Sequence, residues 1–169
     1  MARPLIGDHS EPYQTYIDET TEPTINDLIT NYSLQLNNFI SSLPEVKENY
    51  AYAAGKWTVK DLLQHMIDTE RIMTYRALTF ARKDSVALPG FNENEYAVSA
   101  KASLRTLASL QEEYISLRKS TDLFLKSLSD EQLQQKGISN GHPLSVNSLA
   151  FIIFGHSIHH RKILQERYL

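Results

Sequence analysis

Apolar residues in this chain recur at helical spacing in four long stretches separated by irregular segments. From Ile25 onward, Leu28, Ile29, Tyr32, Leu36, Phe39, Ile40 and Leu43 hold an i, i+3, i+4 pattern until Pro44 stops or bends the helix. Thr24, with Asp27 three residues later, is close to a capping box and predicts the helix start. A second helix is predicted from the cap Thr58 to about Arg82, with Val59, Leu62, Leu63, Met66, Met73, Ala77 and Phe80 as its stripe. A third spans about Ser99 to Leu128 and turns Leu104, Leu107, Tyr114, Leu117, Thr121, Phe124 and Leu128 inward. A fourth begins at the cap Ser145 and continues to the C-terminus.

The intervening segments read differently. Residues 1–22 carry Pro4, Gly7 and Pro12 with little periodicity and predict an extended lead-in, tacked onto the rest by Tyr13, Tyr16 and Ile17. Pro44 to Lys56 is a connector with Tyr50 and Tyr52 as packing anchors. Lys83 to Tyr96 reads as a loop around Leu88-Pro89-Gly90-Phe91, long enough to suggest a functional segment. Ser129 to Gln132 is a capping-box pattern for a short extra turn, Asn140-Gly141 marks a tight turn, and no stretch reads as a strand. The expectation is an all-α four-helix bundle over residues 23–169, preceded by the N-terminal segment 1–22. Long connections after the first and second helices let neighbours run parallel as well as antiparallel.

Composition narrows the function classes. The 169 residues can bury a sizeable single core, and 41% apolar with 22% charged residues is ordinary for a globular protein. A formal net charge of −3, without a dense Lys/Arg cluster, argues against a nucleic-acid partner. There are no cysteines, so disulfides, thiolate metal sites and a cysteine nucleophile are excluded. The longest apolar run, Leu149 to Phe154, is too short to span a bilayer, and Met1-Ala2-Arg3-Pro4 lacks a signal peptide's apolar core; a cytoplasmic location without membrane partners is expected.

The chemistry concentrates in the fourth helix. His156 and His160 are one turn apart and share a face with Leu149, Ile153 and Leu164, so two imidazoles are aimed at the interior. An unpartnered ring there costs free energy, and one shared divalent metal would satisfy both. His65, on the flank of the second helix's stripe, is the candidate third ligand. Three separately hydrogen-bonded interior histidines are the competing reading. Without cysteine the donors are nitrogen and oxygen; Zn or Ni is expected first, with Mn, Fe and Co open. His159 points about 100° away around the helix and reads as a group supporting a ligand or facing substrate. Glu70 falls inside an apolar stripe, where it either holds a ligand's other ring nitrogen or pairs with a buried arginine such as Arg76. His9 reads as solvated on a flexible tail, and His142, beside Pro143, as structural.

Three separated segments resemble one family. Trp57-Thr58-Val59-Lys60-Asp61-Leu62-Leu63-Gln64-His65 through Arg71 is similar to the first signature of the DinB/YfiT-like proteins. Leu88-Pro89-Gly90-Phe91-Asn92 resembles their mid-chain loop. Asn140 to Val146, followed by Gly155-His156-Ser157-Ile158-His159-His160, is similar to their closing signature. The resemblance covers roughly residues 24–169. It implies a four-helix bundle, often a homodimer, with a divalent metal on three histidines that fall on His65, His156 and His160.

The resemblance also implies metal-dependent chemistry on a small molecule, as a hydrolase or as a transferase of a low-molecular-weight thiol such as bacillithiol or mycothiol. Hydrolysis wants a general base beside the attacking water. The carboxylates nearest a ligand in sequence, Asp68 and Glu70, are not aimed at the metal, and this tilts the expectation slightly toward thiol transfer. A non-catalytic metal- or ligand-binding stress-response protein is the third alternative. Phe151, Phe154 and Ile158 point away from the histidine face and read either as a dimer contact or as burial within one chain.

Overall fold

The computed structural model describes all residues, Met1–Leu169. After a 3-10 turn, α1 (Gln14–Ile17) precedes a continuous rod made of α2 (Ile25–Leu28), a π-helical turn (Ile29–Ser33) and α3 (Leu34–Ser41). Then follow α4 (Val59–Ala81), α5 (Glu93–Ala100), α6 (Leu107–Lys126), α7 (Asp130–Gln134), the strands β1 (Lys136–Ser139) and β2 (His142–Ser145), and α8 (Val146–Arg167). The α2–α3 rod, α4, α6 and α8 form a four-helix bundle, as the periodicity predicts. No helix is long and apolar enough to cross a membrane.

Local chemistry accounts for where the helices start. Thr24 accepts from the Asp27 N–H, and Ser145 accepts from the Ser148 N–H at 3.0 Å. Thr58 with Asp61, and Ser129 with Gln132, form complete capping boxes. The helices then choose their neighbours through long connections. Gln64 meets Arg105, Arg71 meets Glu113 and Thr74 meets Thr121, so α4 and α6 run parallel. The Tyr168 hydroxyl donates to the Trp57 carbonyl at 2.9 Å, which marks α4 and α8 as antiparallel.

Three expectations need correction. The helix predicted from about Ser99 is two pieces: α5 ends at Lys101 in the left-handed region (φ 51°), and Thr106 caps a fresh start at Leu107. Leu104, expected inward, is 81% exposed in the break. Strands are also present. Lys136 pairs with Ser145 and Ser139 with His142 around Asn140 and Gly141, both at positive φ (51° and 76°), the type I′ geometry for which Asn-Gly is the strongest short signal. This hairpin holds the mid-chain loop, because Leu88 N–H donates to Ile138 O at 2.9 Å and Asn140 N–H to Leu88 O at 3.0 Å.

The third correction concerns the N-terminal segment, which is partly helical rather than extended, though it is fastened through Tyr13, Tyr16 and Ile17 as expected. Arg3 donates to Thr20 and to the Ile17 carbonyl, Asn147 donates to the Ala2 carbonyl at 2.8 Å, and Ile17 is 1% exposed. His9 is buried against Gln14 at 2.7 Å, not solvated. Gly155 permits the docking of α1 on α8: a Cβ there would stand 1.8 Å from the Tyr16 carbonyl oxygen.

The core divides into two apolar clusters with a polar layer between them. One gathers Met73, Ala77 and Phe80 of α4 with Val146 to Ile158 of α8; the other gathers Val59 to Ile67 of α4 with Leu107, Leu110 and Tyr114 of α6, and Leu164. Phe151 and Phe154 (both 0% exposed) and Ile158 (2%) lie inside the first cluster, so they are not available as a dimer contact. Each of the two phenylalanines contributes about 1.5–3 kcal/mol by burial. The layer between the clusters holds His65, Thr69, Glu70, Arg118, Thr121, His156, Ser157 and His160, all buried.

Candidate metal centre

Helical spacing and the capped start of α4 bring three imidazoles together. His156 and His160 stack one turn apart on α8, with ring centroids 4.4 Å apart. His65 approaches from α4, with its ring 5.0 Å from His156 and 4.9 Å from His160. Its Nε2 lies 3.1 Å from His156 Nε2. One ligand atom from each residue lies within 4.8 Å of the others. Two nitrogens at ~2.1 Å from one ion stand at most about 4.2 Å apart, so small ring rotations suffice for shared coordination.

The electrostatics suit a cation. Burial pushes His65 down to about 4, and burial aided by His65 and His159 pushes His160 down to about 3. His156 lies well below its ordinary value, through burial first and then the adjoining histidines. All three rings are therefore neutral at pH 7 and offer lone pairs. His160 Nδ1 is buried with no hydrogen-bond partner, an orphan that a hydrogen-bonded trio would not leave. The donor set and its neutral state fit a divalent cation.

The sequence of residues 34–164 matches the DinB superfamily. The chain belongs to that superfamily. A relative from Oceanobacillus iheyensis, named a putative metal-dependent hydrolase, is 25% identical over 140 residues, covering 78% of this chain and 76% of that one. The fold matches YfiT from Bacillus subtilis, described as a probable metal-dependent hydrolase with an unusual four-helix bundle topology. That likeness has a TM-score of 0.72 at 14% identity and covers 97% of this chain and 90% of the other.

In this DinB superfamily chain, two cavities reach the triad from different sides. One, of about 390 Å³, is lined by His65 and His156 together with Tyr16, Thr69, Arg76 and Phe91. The other, of about 250 Å³, reaches His160 past Trp57, Tyr52 and Tyr168. Glu93 and Asn94, at the start of α5, line both. Trp57 packs on the His65 ring at 4.7 Å, and Tyr16 meets the His156 ring edge-on at 5.3 Å.

The supporting candidates fall elsewhere. Glu70 touches no histidine nitrogen, and its partner is Arg118 of α6 rather than Arg76; Arg118 also donates to Ser157 at 2.9 Å. His159, whose side chain is 41% exposed, sits 3.6 Å from Glu19 and edges the His160 ring, but it lines neither cavity. Asp68 accepts from Gln64 at 2.9 Å, and His142 stays in the hairpin. Sequence reasoning missed Glu93 and Arg118, and read Tyr16 only as a packing anchor rather than as a neighbour of His156. Glu93 has one local signal, the Asn92 cap that starts α5 beside the mid-chain loop.

Proposed function

We propose that His65, His156 and His160 hold one divalent metal ion, and that the chain uses it to hydrolyse a small molecule bound in the 390 Å³ cavity. The observation that carries this reading is the meeting of three buried, neutral imidazoles at a point that two cavities reach. The metal-dependent hydrolysis for which the Oceanobacillus iheyensis relative is named supports the same direction. Zn or Ni suits an all-imidazole donor set first, with Mn, Fe and Co open. When bound, such a cation supplies positive charge that lowers the pKa of a nucleophile beside it and polarises an electrophile.

The chain's own residues supply the rest. Glu93, on the wall common to both cavities, takes the proton from the attacking water and returns it to the leaving group. Trp57 and Tyr16 cover the flanks of the histidine rings and limit water there. A carboxylate in this place is what Asp68 and Glu70 do not provide, and it moves the balance from thiol transfer to hydrolysis.

Transfer of a low-molecular-weight thiol is the second reading, supported by the paired cavities, which offer room for two molecules at once. The thiol would come from outside, because the chain has no cysteine. Elemental analysis of purified protein is expected to give about one divalent ion per chain, lost in His160→Ala. Glu93→Gln is expected to keep the ion and lose on the order of 10²-fold or more in hydrolysis of activated esters or amides. Consumption of an electrophile only when a thiol is added would reverse the ranking. Bound metal without turnover of either kind would leave a metal-binding module, and protein that binds no ion would remove the reading altogether.

A further inference from the structure

Two arginines are buried in this bundle, and only one has a counter-charge. Arg118 (0% exposed) is paired with Glu70. Arg76 (3% exposed) has no carboxylate at ion-pair distance. Its Nη2 donates to the Pro89 carbonyl at 2.8 Å and its Nη1 makes a weak contact with Met73 Sδ at 3.4 Å; Phe91 lies 5.9 Å away. The Tyr13 hydroxyl is its other polar neighbour. A guanidinium has five N–H donors, so several remain uncommitted, and a buried cation without an anion is costly.

Arg76 lines the same 390 Å³ cavity as His65 and His156. His65, Thr69, Met73 and Arg76 follow one another along one face of α4 and form a continuous wall. Thr69 Oγ1, midway along it, is buried and has no partner. Eleven residues of helix separate the two ends by about 16 Å between Cα atoms, a span that the long Arg76 side chain shortens. The cavity thus has the triad and Glu93 toward one end and an uncompensated cation toward the other.

We propose that Arg76 receives a carboxylate carried by the substrate, so that the cavity takes elongated small carboxylic acids whose far end reaches the triad. This rests on reading the triad-lined cavity as the substrate site. A planar, singly charged carboxylate matches the guanidinium fork. A phosphate dianion suits the cavity less, because the Glu93 carboxylate lines the same cavity and repels two negative charges more than one. The bond to Pro89 also anchors the mid-chain loop, but anchoring alone requires no selectivity for anions.

The test compares hippurate with its uncharged amide, hippuramide, by calorimetry on the full-length protein, as purified and after chelation. Hippurate is expected to bind at least tenfold more tightly in both preparations. Arg76→Gln is expected to equalise the two ligands, while His160→Ala keeps the preference, so loss of the metal reading and loss of this one are told apart. Should Arg76→Gln fail to fold, the Arg76 Nε–H resonance of the unaltered protein is expected to shift with hippurate and not with hippuramide. Equal binding, no binding of either, or a preference that survives Arg76→Gln overturns the proposal. Displacement of hippurate by an equal concentration of inorganic phosphate overturns the choice of carboxylate.

Discussion

Two buried polar clusters sit side by side between α4 and α8, and they are built on opposite principles. Glu70, Arg118 and Ser157 form a closed set: one negative charge, one positive charge and a hydroxyl, with Arg118 donating to both of the others and neither cavity of the triad reaching them. His65, His156 and His160 are also buried, yet they are three neutral rings with no buried charge bonded to them, His160 Nδ1 has no partner, and cavities open on two sides. Burial alone therefore does not mark the functional cluster. Access combined with the lack of a counter-charge does. The closed set balances its own charges out of reach of the cavities, although Glu70 Oε1 and Arg118 Nε and Nη1 keep no hydrogen-bond partner. The open set presents neutral nitrogen donors to two cavities.

The largest effect is expected from breaking the closed set on one side. Arg118→Met leaves the Glu70 carboxylate buried without its guanidinium, which costs about 3–5 kcal/mol. For a chain of this size that lowers Tm by roughly 10 °C. Glu70→Leu combined with Arg118→Met removes both charges and is expected to recover most of the loss. Urea denaturation of the single and double variants measures this; independent, additive losses would mean that the two residues are not coupled.

The open set should respond the other way. His65→Ala removes a buried ring whose one hydrogen bond is to another neutral imidazole, so the metal-free protein is expected to keep its stability to within about 1 kcal/mol. Metal affinity, by contrast, is expected to fall by more than the roughly 100-fold that loss of a supporting group costs. Chelator-competition titration reads the affinity and thermal melting the stability. A His65→Ala protein that melts far earlier without metal would make the triad structural.

The contrast also separates what was legible in the sequence from what was not. Thr24, Thr58, Ser129 and Ser145 write helix starts into a few adjacent residues, and each cap forms as read. His156 and His160 are legible for the same reason, since i, i+4 spacing alone puts them side by side. His65 joins them because its stripe position, together with the fit of α4 on α8, carries it into the same layer. The partner of Glu70 was not legible. Arg118 lies 48 residues away on another helix, and no local pattern distinguishes it from Arg76. Glu93 was hidden likewise, since it falls within the stretch read as the Lys83–Tyr96 loop, where α5 in fact begins at the Asn92 cap. The hairpin strands, four residues each, are too short for alternation to show; Asn140-Gly141 was their one trace.

A third change strikes the wall of the open set and leaves the closed set untouched. Gly155→Ala would place a Cβ 1.8 Å from the Tyr16 carbonyl oxygen and must push α1 off α8. Overpacking of this kind costs about 1–3 kcal/mol. Because Tyr16 borders both His156 and the larger cavity, ligand binding is expected to weaken while the Glu70–Arg118 pair stays intact. Hydrogen exchange should rise in residues 1–22 and not in α6. Equal loosening of both regions would show that the N-terminal segment braces the whole bundle rather than this one wall.

The smallest effect compares Glu70 with a second carboxylate on arginine. Burial works against the charged form of Glu113, but Arg71 at 2.6 Å and Arg105 at 2.5 Å outweigh it and hold its carboxyl below the ordinary 4.5. Burial pushes Glu70 the other way, upward, with Arg118 opposing. A lowered native pKa stabilises the fold above the unfolded value and loses that contribution as pH falls through the native one. Glu113→Gln should therefore cost about 1 kcal/mol at pH 7, in line with partly exposed ion pairs. The difference from the unaltered protein should shrink once pH drops below about 4.5. Glu70 has the opposite sign: its raised pKa favours the fold when the group is protonated, and this contribution fades as pH rises through the native value. Denaturation curves at pH 7 and pH 3.5 test the Glu113 pair alone, because Glu70 is common to both proteins and cancels. A stability gap that stays constant across that range would mean that Glu113 acts through packing and not through its charge.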